Sequence, residues 1–458
     1  MQRLTPSWLL PSNSSATDLI GTKGHALLPP LYTYYGDDFT GSTDVLEQLA
    51  SNGVPTALFL APPTAEQLGQ FPGIQAFGIA GDSRSRSPQW MSANLPAIFA
   101  ALSSFHAPVA HYKVCSTFDS SPQCGSIGRA IELGIAAFNP AFVPVVVGAP
   151  HLRRFVSDGN LFASAPDGGI HRIDRHPMSR HPVTPMTEPN LCLHLAQQTD
   201  LSVGLVSHAH LSSLASALSE LEGQSASHRV ILFDTIDSAC LNVLGEVLWR
   251  YARQRPMFSA ASSGLTSALI AVWRRYNLIS EPDKPKPIRR ANPLLIVSGS
   301  CSTATAQQIR WALEHGFSGI AVDPMLLLSP KTSIAYRAEV TASASISLRC
   351  NVDTILYTAL GASTSPAAGE SLGIALGQLL HELLAQAPVT RVILCGGDTS
   401  SHAVQQLGLS ALTWQASLQP GAPLCRAHFA TPTTRALEVV LKGGQIGSEE
   451  FFDIARGG

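Results

Sequence analysis

Tyr34-Tyr35-Gly36-Asp37-Asp38-Phe39-Thr40-Gly41-Ser42-Thr43-Asp44 follows an apolar run that ends in Leu31-Tyr32-Thr33 and precedes the helical pattern Val45-Leu46-Glu47-Gln48-Leu49-Ala50. A strand thus runs into a tight polar turn, and the turn opens a helix. Two adjacent carboxylates fall at the carboxyl end of that strand, where open α/β sheets place their ligands. Gly41, Ser42 and Thr43 are expected to offer free backbone N–H groups at a helix N-terminus, which favours an anion. One loop therefore supplies a base for a hydroxyl and a cradle for negative charge. Asp37 and Asp38 can also be read as turn and cap residues only.

Outward from this segment the same alternation continues. Thr56-Ala57-Leu58-Phe59-Leu60, Ala76-Phe77-Gly78-Ile79-Ala80, His111-Tyr112-Lys113-Val114, Pro144-Val145-Val146-Val147, Val203-Gly204-Leu205-Val206 and Val230-Ile231-Leu232-Phe233 read as strands, with helices expected near 64–70 and 88–104. Such alternation predicts an α/β fold with a mostly parallel sheet covered by helices. A chain of 458 residues exceeds one ordinary core, so two domains are expected. The stretch 281–292 carries three prolines and four basic residues, which suits a linker. Residues 1–29 read as an irregular extension, 30–280 as one domain, 281–290 as the linker and 291–458 as a second domain. Each domain is expected to be a mostly parallel sheet flanked by helices, with the active site in the cleft between them.

Composition excludes several classes. The formal net charge of −2 gives no general attraction to nucleic acid or to a membrane surface. No apolar run reaches the ~20 residues of a membrane span, and no signal peptide is legible. The eight cysteines are scattered without zinc spacing, so free thiols and a cytoplasmic location are expected. A metal-ligand set is not legible. The sequence leaves a homo-oligomer open.

The second domain repeats one design. Leu295-Ile296-Val297-Ser298-Gly299-Ser300-Cys301-Ser302 precedes a helical stretch from Thr303 to His315, and Val392-Ile393-Leu394-Cys395-Gly396-Gly397-Asp398-Thr399-Ser400 precedes a helix that stops near Gly408. Strand, Gly/Ser turn and helix together let a backbone approach a phosphate, whose charge the N–H groups and helix dipole stabilise. Leu441-Lys442-Gly443-Gly444 adds a third turn. Neither a Walker A pattern nor a Gly-x-Gly-x-x-Gly fingerprint is present. The first domain offers groups for a small carboxylate. Lys113-Val114-Cys115-Ser116-Thr117-Phe118-Asp119-Ser120-Ser121 leaves a strand end with one Lys, four hydroxyls and one Asp, and Arg84 and Arg86 leave another. A proline-stiffened polar loop follows at 174–186.

Taken together these segments resemble the four-carbon acid sugar kinase family, from about residue 32 to the end. Gly36-Asp37-Asp38-Phe39-Thr40-Gly41 corresponds to its Asp-Asp-Leu/Phe-Thr-Gly signature. Lys113 with Cys115-Ser116-Thr117-Phe118-Asp119-Ser120, and His181-Pro182-Val183-Thr184-Pro185-Met186, look like its 3-oxo-acid branch. In the threonate and erythronate kinases the former stretch is usually Lys-x-Asp-Ser-Thr-Leu-Arg-Gly, so Cys115 and Asp119 replace an Asp and an Arg. The resemblance implies an acid-sugar domain, an ATP domain and phosphorylation of a terminal hydroxyl, with 3-oxo-isoapionate or 3-oxo-tetronate as substrate and Mg²⁺ as cofactor. It implies Asp37 as general base, with Asp38 positioning substrate or Mg²⁺ and the two roles open to exchange. Arg84, Lys113, Cys115, Ser116, Thr117, Asp119, His181 and Thr184 would hold the acid sugar. Ser298, Gly299, Ser300, Gly396, Gly397, Asp398, Thr399, Gly443 and Gly444 would hold ATP. The alternatives are a D-threonate or D-erythronate kinase, a two-domain sugar-acid oxidoreductase and a non-catalytic binding protein.

Overall fold

The computed structural model describes residues 29–165, 168–181, 183–282, 287–361, 369–431 and 436–457, without the side chain of Asp398. The expected N-terminal extension, save residue 29, and the middle of the expected linker lie outside the described residues, as does Pro182 of the 174–186 loop.

The quoted segment forms the centre of a parallel sheet. Its strand, Tyr32–Gly36, is buried throughout and lies between Ala76–Ala80 and Val109–Lys113. Burial on both faces explains the near-continuous apolar runs of these strands. Beyond Ala76–Ala80 lies Thr56–Phe59; beyond Val109–Lys113 come Met257–Ala261, Val143–Val146, Val230–Phe233 and Val203–Val206, all parallel. The second half has a parallel set of its own, ordered Ser318–Ala321, Thr354–Tyr357, Leu294–Ser298, Arg391–Cys395 and Glu438–Lys442.

The two sets are not separate sheets. A long antiparallel hairpin, Leu409–Gln419 with Ala422–Phe429, extends the second set and pairs with Thr56–Phe59 of the first through Ala411–Phe59 and Leu412–Leu58. Among the described residues one sheet of fifteen strands therefore runs through both halves. Counting orientations across it, the parallel strands of the second half run opposite to those of the first. Adjacent strands in a sheet rotate by roughly 20–25°, a twist that over the six steps from Tyr32–Gly36 to Arg391–Cys395 offsets much of this reversal and favours bringing the carboxyl ends of both sets toward one region. The contacts agree: helix Phe39–Ser51 packs against helix Gly397–Gln405, and Arg86 makes a bidentate pair with Glu370 at 2.7 and 3.1 Å.

The helix after the first strand begins at Phe39, earlier than the pattern from Val45 suggests. Gly41, Ser42 and Thr43 are accordingly inside its first turns, and the Gly41 amide is not free: it donates to Asp38 Oδ1 at 2.8 Å. A small antiparallel sheet, Arg154–Ser157, Asn160–Ser164 and Ile170–Arg172, which the strand–helix alternation does not announce, stands beside the first set. The eight cysteines are free thiols. Among the described residues no helix is long and apolar enough to cross a membrane.

Candidate active site

In the first half, register brings the polar groups together. Gly36 pairs with Ala80 on one side and Lys113 on the other, so the chain leaves three adjacent strands at one level. The Asp37 amide then donates to Lys113 O, and the Arg84 amide to Asp37 O, each at 3.0 Å. Asp38, in extended conformation, is the N-cap of helix Phe39–Ser51. Its carboxylate accepts from the Gly41 amide and the Thr40 hydroxyl. The cap reading thus holds for Asp38, and the cap geometry aims its side chain back at Asp37.

Arg84 joins the two carboxylates. Nη2 lies 2.6 Å from Asp37 Oδ1 and 3.0 Å from Asp38 Oδ1, and Nε donates to Asp37 Oδ2 at 3.2 Å. Burial pushes the Asp37 carboxyl up, Arg84 pulls it down and Asp38 pushes it up again; the result is a pKa of about 6. That is a base near the working pH range, able to accept a proton and to return it. Lys113 Nζ is 3.8 Å from Asp44 and donates to Val114 O. Both cations expected to bind a substrate carboxylate are thus occupied, Arg84 by the pair that it bridges and Lys113 by Asp44. Asp44 is quoted in the opening segment without a role, and its partner is 69 positions away in the chain.

The 113–121 loop curls over this centre. The Thr117 hydroxyl donates to Asp119 Oδ1 at 2.6 Å and lies 2.9 Å from Cys115 Sγ. Burial alone would raise the Asp119 carboxyl, but Arg84, the Thr117 hydroxyl and His181 together hold it below the usual carboxylate range. Burial pushes the Cys115 thiol up, and Asp119 adds to it. His181 Nδ1 accepts from the Thr184 amide and contacts its hydroxyl, both at 3.1 Å. Cys115, Thr117, Asp119, His181 and Thr184 therefore share one electrostatic neighbourhood with Arg84. Ser116 is half-buried in the same turn.

In the second half three turns converge by the same logic. Ser298 pairs with Cys395, and Cys395 with Lys442. The Gly299 amide donates to Cys395 O and the Gly396 amide to Lys442 O. A Cβ on Gly299 would sit 2.2 Å from Thr399 Oγ1, and one on Gly444 2.9 Å from Ser300 Oγ, so glycine permits the close approach at both places. At Gly397, by contrast, a Cβ would meet none of the described residues within 4 Å. Helices Thr303–Glu314 and Gly397–Gln405 both start here without a side-chain cap. Their first N–H groups have no intrahelical acceptor and suit a phosphate. Gly443 sits in the third turn, against Ile446. Ser302, at the end of the 298–302 turn expected to hold ATP, and Thr305, to which the sequence reading assigns no role, both donate to Gly444 O, at 2.6 and 2.8 Å, and weld the first turn to the third. The side chain of Asp398 lies outside the described residues. These backbone donors, the small residues and the buried Lys442 ammonium beneath them fit a nucleotide phosphate.

Comparison with known proteins finds one family in each half of the chain. The sugar-binding N-terminal domain family matches residues 32–269, and the nucleotide-binding C-terminal domain family matches 295–452. A 3-oxo-isoapionate kinase of Paraburkholderia graminis is 42% identical over 93% of this chain and 94% of its own length. A 3-oxo-tetronate kinase of Salmonella typhimurium is 28% identical over 91% and 96%. A crystal structure from Salmonella typhimurium LT2, described as a tRNA synthase, is 27% identical with a TM-score of 0.75, covering 93% of this chain and 98% of its own. The chain belongs to the four-carbon acid sugar kinase family, in the branch of the 3-oxo-isoapionate and 3-oxo-tetronate kinases.

Proposed function

We propose that this protein transfers the γ-phosphoryl group of ATP to a terminal hydroxyl of a small 3-oxo acid sugar, with 3-oxo-isoapionate favoured over 3-oxo-tetronate. The observation that carries this reading is the buried Asp37 carboxylate, poised at a pKa of about 6, just before helix Phe39–Ser51, which packs against helix Gly397–Gln405 of the nucleotide half. The 42% identity to a protein named 3-oxo-isoapionate kinase supports the choice of acid. So do Cys115 and Asp119, which stand where the simple-tetronate kinases carry Asp and Arg.

In this reading Asp37 takes the hydroxyl proton as the hydroxyl oxygen bonds to the γ-phosphorus and ADP leaves. Arg84 keeps Asp37 ionised and aimed, and Asp38 is held by its cap. The turns at 298–300, 396–399 and 443–444 hold the phosphates by backbone N–H groups, and phosphoryl transfer requires chiefly positioning and charge stabilisation. Mg²⁺ bound with ATP would neutralise developing phosphate charge. The sheet and the Arg86–Glu370 pair hold the two halves around the cleft, which limits water.

The test is ADP release on 3-oxo-isoapionate, 3-oxo-tetronate, D-threonate and D-erythronate. The expected order in kcat/KM places the 3-oxo acids first. Release with none of them would refute the kinase reading, and a clear preference for D-threonate would refute the reading of the 113–121 loop. The oxidoreductase and binding-protein alternatives have no support in the relatives.

A further inference from the structure

An acid sugar brings a carboxylate, and the two cations at the centre of the site are already paired. Arg154 is not. It opens the strand Arg154–Ser157, directly after the turn Pro150–Leu152 that leaves strand Val143–Val146 at the ligand-bearing edge of the sheet. That turn lies at the level of the site: Ala261 pairs with both Lys113 and Val146, His151 Nε2 is 3.3 Å from Gln48 Nε2 of helix Phe39–Ser51, and Ser164 O, an acceptor of Arg154, is also 3.0 Å from Nε2 of His176 in the 174–186 loop.

The guanidinium is held from one side. Nη1 donates to Leu152 O at 3.1 Å, to Ser164 O at 3.2 Å and to Ser164 Oγ at 2.7 Å, with a long contact of 3.4 Å to Arg153 O. These acceptors fix the plane of the group. Nε is buried and makes no hydrogen bond. Among the described residues Nη2 has no hydrogen bond, and no carboxylate lies within ion-pair distance of the guanidinium. Among the described residues Arg154 therefore has an immobilised positive charge with no carboxylate partner and an unused Nε–H/Nη2–H edge. Its surroundings already cost it: burial, with the charge of Arg153, lowers its pKa, and of the neighbouring groups the Cys115 thiol of the acid-sugar loop opposes that shift.

The Nε/Nη2 edge is a two-donor fork that matches both oxygens of a carboxylate. We propose that Arg154 is the carboxylate anchor of the acid-sugar site, binding the substrate's carboxylate through Nε and Nη2 while Nη1 stays on Ser164 and Leu152. The identity of the acid rests on the kinase reading above; the anchoring role of Arg154 does not. The anchor supplies discrimination as well as affinity, because a neutral sugar of the same shape leaves the fork unpaired.

The test compares the full-length protein with Arg154→Gln and Arg154→Lys, on 3-oxo-isoapionate and on its carboxamide, by ADP release and by calorimetric binding. Loss of a charge-assisted contact predicts a KM for the acid about 10–100-fold higher in Arg154→Gln, with the KM for ATP unchanged and a much smaller loss in kcat/KM on the carboxamide, whose carbonyl accepts only one neutral hydrogen bond from the fork. Equal losses on acid and carboxamide would reduce Arg154 to a strut for Ser164 and overturn the proposal; so would an unchanged KM for the acid. If Arg154→Gln does not fold, Arg154→Lys decides, since it keeps the charge and loses the fork: a raised KM at unchanged Tm supports the anchor, and an unchanged KM overturns it. Absence of ADP release by the wild-type protein would refute the kinase reading instead. Calorimetry then judges the anchor: binding of the acid to wild type and not to Arg154→Gln supports it, and equal binding or none overturns it.

Discussion

Replacing Arg84 by Met tests the centre of the site through its pH dependence. Arg84 is the group that pulls the Asp37 carboxyl down against burial and against Asp38. An adjacent arginine typically lowers a carboxyl pKa by about 1–3; taking about two, its removal moves Asp37 from about 6 to about 8. At pH 7 the wild-type base is about nine-tenths ionised and the variant about one-eleventh, roughly a tenfold loss of kcat/KM. The loss should disappear near pH 9. Stability moves the other way. With its folded pKa raised above the unfolded value, Asp37 favours the native state when protonated, and that contribution is lost as pH rises through the folded pKa. Two pKa units amount to about 2.7 kcal/mol, comparable with the roughly 3 kcal/mol expected for stranding a buried charge. The variant should therefore gain activity and lose Tm between pH 6 and pH 9. Arg84→Lys retains the charge and should keep the limb near its wild-type position. The assay is a pH profile of ADP release beside thermal melts. An acid limb that stays near pH 6 in a folded Arg84→Met protein would refute the assignment of Asp37 as the titrating base.

Other outcomes follow from the same geometry. Asp37→Asn should lower kcat by ~10²–10⁴-fold in a folded protein, whereas Asp38→Asn should cost less in kcat and about 1 kcal/mol or less in stability, because asparagine still caps the helix; an exchange of these phenotypes in steady-state kinetics would exchange the roles. Gly397→Asp should abolish nucleotide binding in calorimetry without loss of Tm, since its Cβ meets none of the described residues within 4 Å and its carboxylate brings a like charge to the phosphates. Lys113→Met should raise KM for the acid sugar and leave ATP affinity unchanged, through release of the buried Asp44; a change in ATP affinity alone would contradict this. Glu47→Gln should flatten the fall in Tm between pH 5 and 8, because burial raises the Glu47 carboxyl to about 7 and its protonated form favours the folded state.

Local grammar carried far in this chain. The strands at Ala76–Ala80, Val203–Val206 and Val230–Phe233 fall where apolar runs stop at polar turns, because strand, turn and helix are decided within about twenty residues. What resisted reading was pairing at a distance. Asp38 was legible as a catalyst or as a cap, and only the positions of Gly41 and Arg84 show it serving as cap and as a neighbour of Asp37. Arg84 and Lys113 looked like free cations because their acidic partners are 46–47 and 69 positions away. The Leu409–Phe429 hairpin did carry a signal, Gln419-Pro420-Gly421-Ala422, a turn between two apolar segments. Its consequence, one sheet instead of two, depended on which edge it met.

That shared edge has a cost when the chain is divided. Leu409–Gln419 joins the first half through two residue pairs and the bond from the Leu60 amide to Ser410 O, while helix Phe39–Ser51 covers it further along, with Glu47 taking the Ser417 hydroxyl. Cut between the halves, each fragment bares a strand edge of the kind that recruits other chains. The nucleotide half alone would be expected to associate through its hairpin with a second copy, and the sugar half through Thr56–Phe59. Insolubility of either fragment would then report an unprotected seam, whatever the intrinsic foldability of its core.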